Sequence, residues 1–203
     1  MKDKDWGGNK RTTFASIGAS NHAEHERESH DFYATHPIAI DKLVQHPFWE
    51  HVGDLIWEPA CGMGHMSEAL KKQGKEVISS DLIDRGYLGT EVADFLALPE
   101  VDCPNVSIVT NPPFKYAEQF IRKALNVVAT GKYACFFLKL TFLEGQKRRA
   151  LFEEYPPKYV LVSSSRIICA MNGDFTKVDS SAVAYAWYIW EIGYKGPTIL
   201  QHC

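Results

Sequence analysis

The sequence predicts an α/β protein with a mostly parallel, doubly wound sheet and an antiparallel strand at one edge. Two observations point to the parallel sheet. Short apolar runs alternate with longer amphipathic stretches, and those runs are near-continuously hydrophobic, as strands buried on both faces are. A third accounts for the edge: the last two apolar runs lie close together with little helix between them. In such a sheet, ligands bind at the carboxyl ends of the strands.

The elements follow in order. Residues 1–30 are polar and rich in Gly, Ser and charge, and read as a flexible arm with room for a short helix in "NHAEHERESH". Its His22, His25 and His30 fit a solvated helical stretch better than a metal site, because no Cys or carboxylate pattern completes a ligand set. A helix over 37–51 opens at Pro37, where proline is tolerated. "DLIWEP" (54–59) reads as a buried strand and "HMSEALKKQG" (65–74) as a helix closed by Gly74. Strands follow at 76–82 and 106–111, then the helix "KYAEQFIRKALNVVAT". "YACFFLKL" (133–140) is the most apolar strand, and a helix over 144–154 comes next. Strands at 158–164 and 182–191 complete the set; in the latter, Tyr185, Trp187, Tyr188 and Trp190 place half of an aromatic run in the core.

With 203 residues, 45% hydrophobic and 23% charged, residues 31–203 suit one domain with a sizeable core. About 30 residues separate Asp81 from Asn111 and fewer than 100 follow Phe114, which leaves no room for a separate target-recognition domain. A formal charge of −3 supplies no global field for nucleic acid, so such a partner needs a local basic patch. Candidates are "GQKRR" (145–149), Arg166, Lys177 and Lys195. No apolar run approaches a membrane span. Five scattered cysteines without a CxxC pair suit a reduced, cytoplasmic protein rather than a disulfide or zinc framework.

Four motifs carry chemistry. In "EPACGMG" (58–64), Gly62 and Gly64 permit a tight turn and close approach of a ligand, and the following helix can receive a carboxylate at its N-terminus. The spacing is not G-x-G-x-x-G, which counts against a nicotinamide cofactor. Asp81, ending the next strand, suits the two hydroxyls of a ribose, or serves as a cap or turn residue. Asp94 and Phe95 in "VADF" suit an adenine amino group and ring, or equally a cap and a core aromatic. In "TNPPF", two prolines stop strand pairing and leave Asn111 and Pro112 rigid at a strand end, beside the ring of Phe114.

"EPACGMG", "SSDL", "VADF" and "NPPF", in that order, resemble the class I S-adenosylmethionine-dependent methyltransferases and their Rossmann-like fold. "NPPF" resembles the motif of the subfamily that methylates amino groups, and "DFYATHP" (31–37) a further motif of DNA adenine methyltransferases. The run to "FLEGQKRR" is similar to small phage and prophage DNA methylases. The resemblance implies S-adenosylmethionine as cofactor, held by Phe32, Thr35, Glu58, Ala60, Gly62, Gly64, Asp81, Leu82, Asp94, Phe95 and Asn111. It implies Asn111, Pro112, Pro113 and Phe114 as the catalytic turn, no metal, and DNA as partner, with RNA as the alternative; a monomer is compatible. The implied reaction is N6-methylation of a flipped-out or single-stranded adenine. Cytosine N4, RNA adenine or a protein glutamine amide are rival acceptors, and a catalytically silent nucleic-acid-binding module is the rival of another class.

Overall fold

The computed structural model describes residues 33–100, 103–171, 173, 175 and 183–203. The readings of the arm, Phe32 and Lys177 lie outside those residues. The strands are β1 (Tyr33–Thr35), β2 (Leu55–Glu58), β3 (Glu76–Asp81), β4 (Glu91–Val92), β5 (Val106–Thr110), β6 (Tyr133–Lys139), β7 (Tyr159–Val162), β8 (Cys169–Met171), β9 (Tyr185–Glu191) and β10 (Ile199–His202). The helices are α1 (Ile38–Leu43), α2 (His65–Lys72), α3 (Ala117–Val127) and α4 (Arg149–Glu154).

Eight strands form one sheet in the order β10-β7-β9-β6-β5-β2-β3-β4, and β1 pairs with β8 in a separate two-stranded ribbon. All neighbours in the large sheet run parallel except β9, which is antiparallel to both β6 and β7. That is the antiparallel strand expected toward one edge. It lies between β6 and β7, and β10, an element absent from the sequence reading, forms the edge beyond β7.

Both faces of the sheet are covered, and side-chain alternation sorts the core into two layers. Cys135, Phe137, Trp187 and Ile189 pack with α1 and α2; Ala134, Phe136, Leu138, Tyr188 and Trp190 pack with α3 and α4. The aromatic run of β9 is therefore buried on both sides rather than on one. Each buried polar tip has a partner: Trp187 Nε1 donates to the Ala39 carbonyl at 2.9 Å, Trp190 Nε1 to that of Tyr155 at 2.8 Å, and the Tyr188 hydroxyl to those of Lys139 and Leu140.

Three helices are shorter than the periodicity suggests, each for a local reason. The 37–51 stretch divides because the residue before Pro47 avoids helical geometry; α1 ends at Leu43 and a 3₁₀ turn restarts at Pro47. Gly145 takes a φ of 120°, so the 144–154 stretch begins only with a 3₁₀ turn at Gln146 and becomes α4 at Arg149. The helix read from Lys115 starts with a 3₁₀ turn over Phe114–Tyr116 and turns extended at Val128. The strand read from residue 182 begins at Tyr185.

Candidate active site

The carboxyl ends of β2, β3 and β5 lie side by side and open into two cavities that share Ala60, Asp81, Arg85 and Pro113 as walls. The larger, of about 390 Å³, also takes in Leu82, Ile83, Asp94 and Phe95. The smaller is bounded by Thr35, Glu58, His65, Asn111, Pro112 and Phe114, among others. Thr35, Glu58, Ala60, Asp81, Leu82, Asp94, Phe95 and Asn111 through Phe114 thus line one or other cavity, whereas Gly62 and Gly64, in the loop after β2, line neither.

The loop after β2 is tied to β3. The Gly62 N–H donates to Asp81 Oδ2 at 2.8 Å and the Ile83 N–H to Oδ1 at 3.0 Å. Asp81 thus braces the glycine turn while facing both cavities. Gly64 sits at φ 79°, and a Cβ there would meet the Tyr87 ring at 2.3 Å. The space a side chain would need at Gly64 is thus taken by the Tyr87 ring, which accounts for a glycine there. Asp94 Oδ1 accepts from the Leu96 N–H at 3.0 Å and closes a turn, with no helix following for it to cap. Phe95, only 2% exposed, is a core aromatic between Trp57 and Phe120, touching the larger cavity with its remaining edge.

Glu58 ends β2 almost wholly buried, and its carboxylate accepts from the Ser67 hydroxyl, which also contacts Ser79 at 2.7 Å. Burial pushes its pKa up to about 8; the Ser67 hydrogen bond opposes this and the Asp81 charge adds to it. His65 opens α2, and its Nδ1 is buried without a hydrogen-bond partner among the described residues. Burial, with His36 nearby, holds its pKa below the usual imidazole value.

At the end of β5 the two prolines stop the strand, and Pro113 accepts the Tyr116 N–H at 2.9 Å to start the next turn. Among the described residues no backbone N–H donates to the Pro112 carbonyl. The Asn111 amide nitrogen donates to Thr35 Oγ1 at 2.8 Å and to the Tyr33 carbonyl at 3.3 Å. A backbone carbonyl only accepts, so the nitrogen must face β1 and the amide oxygen must face the cleft. That oxygen is buried and has no partner among the described residues. Thr35, expected at the methionine end of a cofactor, has its hydroxyl oxygen committed to orienting Asn111.

Phe114 stacks on Tyr33 and lies tilted against Tyr185, with ring centroids 6.1 and 6.2 Å away, and Lys139 Nζ lies 4.4 Å from its centroid. Of the aromatic run, Tyr185 is thus the ring that adjoins the turn. Tyr33, His65 and Lys139 are site residues the motifs did not name. Tyr33 lies inside "DFYATHP", His65 directly follows the glycine motif, and Lys139 stands at a strand's carboxyl end, which were the available signals. Lys195 is removed from the site: it follows Glu191, which pairs with Tyr133 at the opposite end of the sheet. Among the described residues no group of three or more His, Cys, Asp or Glu could hold a metal, and no helix is long and apolar enough to cross a membrane.

A mostly parallel eight-stranded sheet with one antiparallel strand and a carboxyl-end cleft defines the Rossmann-like class I methyltransferase fold, and solved structures share it. A candidate class I S-adenosylmethionine-dependent methyltransferase of Listeria monocytogenes is 15% identical with a TM-score of 0.59, over 95% of this chain and 70% of its own. A candidate RNA methyltransferase of Pyrococcus horikoshii is 14% identical with a TM-score of 0.58, over 91% and 100%. The modification subunit of a candidate type I restriction enzyme of Vibrio vulnificus is 13% identical with a TM-score of 0.56, over 95% of this chain and 50% of that one. No family model and no curated protein matches the chain.

Proposed function

We propose that this chain transfers a methyl group from S-adenosylmethionine to the exocyclic amino group of adenine in DNA, flipped out or single-stranded. The observation that carries the amino-group chemistry is the Asn111 oxygen, buried, without a partner among the described residues and turned to the cleft beside the Pro112 carbonyl. Adenine and DNA rest on the likeness of "NPPF" and "DFYATHP" to DNA adenine methyltransferases.

The cleft fits the cofactor in two halves. The larger cavity joins apolar walls to the carboxylates of Asp81 and Asp94, suited to a nucleoside. The smaller sets the Glu58 carboxyl against the N-terminus of α2 and His65 Nδ1, which has no partner among the described residues, suited to the ammonium and carboxylate of an amino acid. When bound, S-adenosylmethionine supplies an electrophilic methyl carbon on a sulfonium, a good leaving group.

The chain's own work is to prepare the nucleophile. An aryl amine's lone pair is delocalised into its ring and attacks poorly. Asn111 Oδ1 and the Pro112 carbonyl accept its two N–H bonds, which concentrates charge on nitrogen and stabilises the cation that grows there. Pro113 keeps the turn rigid, and Phe114 stacks on the base to fix its plane. The amino nitrogen so held would take the methyl group, the electron pair of the broken carbon–sulfur bond would stay on sulfur, and the nitrogen would give one proton to water. No strong general base is required, and most of the acceleration is alignment. Since a stacked base cannot reach Asn111, the acceptor must leave the helix or be unpaired.

The test is incubation with methyl-labelled S-adenosylmethionine and single- or double-stranded DNA, or RNA, followed by digestion and mass spectrometry of the nucleosides. N6-methyladenine from DNA is expected. Asn111→Ala should lower kcat about 10²–10³-fold, the loss typical of a transition-state hydrogen-bonding group. Label in RNA or in N4-methylcytosine keeps the chemistry and changes the acceptor; no labelled nucleoside while the cofactor binds overturns the nucleic-acid reading.

A further inference from the structure

Beyond Phe114, away from the cofactor cleft, lies a third depression of about 120 Å³ at the carboxyl end of β6. Phe114, Lys139, Thr141, Phe142 and Arg148 are among the residues lining it. Phe114 also walls the smaller cavity of the cleft, so one ring separates the two spaces.

The depression carries two cations, Lys139 and Arg148. Neither Lys139 nor Arg148 forms an ion pair with a carboxylate among the described residues. Lys139 Nζ rests 4.4 Å from the centroid of the Phe114 ring. Its backbone is fixed by the Tyr188 hydroxyl, which donates to the Lys139 and Leu140 carbonyls at 3.2 Å each, and by the Leu140 N–H on the Ala184 carbonyl at 2.8 Å. Arg148 donates through Nε to the Phe142 carbonyl at 2.8 Å and through Nη2 to the carbonyls of Thr141 and Glu144. It therefore ties up the carbonyl oxygens that would repel an anion, and its Nη1 remains unengaged among the described residues. The other cations of "GQKRR" are placed differently: Arg149 pairs with Glu153 at 2.6 Å and Lys147 is exposed.

We propose that this depression is a phosphodiester subsite, in which Lys139 and Arg148 hold the backbone phosphate next to the acceptor nucleotide. This rests on the proposed nucleic-acid acceptor and deepens it. A base whose amino group meets Asn111 and whose ring stacks on Phe114 must direct its sugar and phosphate past that ring. Lys139 is the cation held against the same ring. A chain of net charge −3 has no general attraction for nucleic acid, so binding needs such a local contact. Lys139 then sets where the backbone lies, not which base is read.

The test is binding of a short, fluorescently labelled, adenine-containing single-stranded DNA, followed by anisotropy over a range of salt concentrations. Lys139→Gln is compared with the wild type and with Lys195→Gln, at the opposite end of the sheet. Binding of S-adenosylhomocysteine is measured by calorimetry on all three. The expected result is binding several-fold weaker for Lys139→Gln, with the slope of log affinity against log salt reduced by about one, an unchanged Lys195→Gln and equal cofactor binding in all three. Wild-type affinity and slope in Lys139→Gln would overturn the subsite and leave the methyltransferase reading intact. Absence of DNA binding by the wild type, with the cofactor bound and a glutamine-bearing peptide bound in its place, would assign the acceptor to protein and also overturn it. Failure of S-adenosylhomocysteine to bind the wild type, by contrast, would sink the cofactor reading itself.

Discussion

At Glu58 the cost of burial and the use of a charge meet in one carboxyl. Its ordinary value is 4.5 and in the fold it is about 8. Between those values the folded protein holds a proton that the unfolded chain has lost, so stability falls as pH rises through the window. The contribution of the neutral carboxyl is complete below about pH 4.5 and gone above about pH 8. Glu58→Gln removes the penalty, because an amide is neutral at every pH and still accepts from Ser67. The variant should melt about 5–10 °C above the wild type at pH 8.5, with the gap closing toward pH 5, when followed by differential scanning calorimetry. The same variant should bind S-adenosylmethionine more weakly above about pH 8, where the wild type presents a carboxylate to the cationic ligand and the amide cannot. A midpoint gap that stays constant with pH would show that Glu58 is ionised throughout.

Individual elements show why helix ends were harder to read than strands. The strands are recognisable because their apolar runs must be buried whatever covers them. The helix breaks at Pro47 and Gly145 depend on single residues inside an otherwise helical pattern, and both signals were present in the sequence. The aromatic strand β9 is the opposite case. Alternation implied one wet face, whereas helices on both sides bury Trp187 and Tyr188 alike. Trp187 should therefore be among the costliest positions to truncate. Trp187→Ala should lose about 3–5 kcal/mol, from the cavity and from the Ala39 carbonyl left without its donor, measured by urea unfolding. Trp187→Phe, which keeps most of the volume, should lose less than half of that; equal losses would place the weight on the hydrogen bond instead.

For the molecule as a whole, the cleft is a joint of the sheet's carboxyl edge with the β1–β8 ribbon, because Asn111 on one is aimed by Tyr33 and Thr35 on the other. A ligand filling both cavities binds the folded state alone, so it must raise the melting temperature by mass action. S-adenosylhomocysteine at 100 times its Kd should add about 2.7 kcal/mol, or about 5–10 °C in a chain of this size, while nicotinamide adenine dinucleotide should add nothing. Thermal-shift measurements read both, and an equal response to the two would undo the reading of the glycine turn.

The sequence by itself determined the sheet class, the sites of the chemical turns and their order, since hydrophobic period, proline geometry and glycine spacing are local properties of the chain. It also carried the Asn-Pro-Pro-Phe turn complete, because two consecutive prolines constrain the backbone whatever surrounds them. Tertiary structure alone decided the rest. That Asp81 braces the glycine loop, that Gly64 yields to Tyr87, that Thr35 turns the Asn111 oxygen into the cleft, and that Lys139 lies against Phe114 are contacts between residues far apart in the chain. Such contacts are set by which strands the crossovers bring together, and no local pattern encodes that distance.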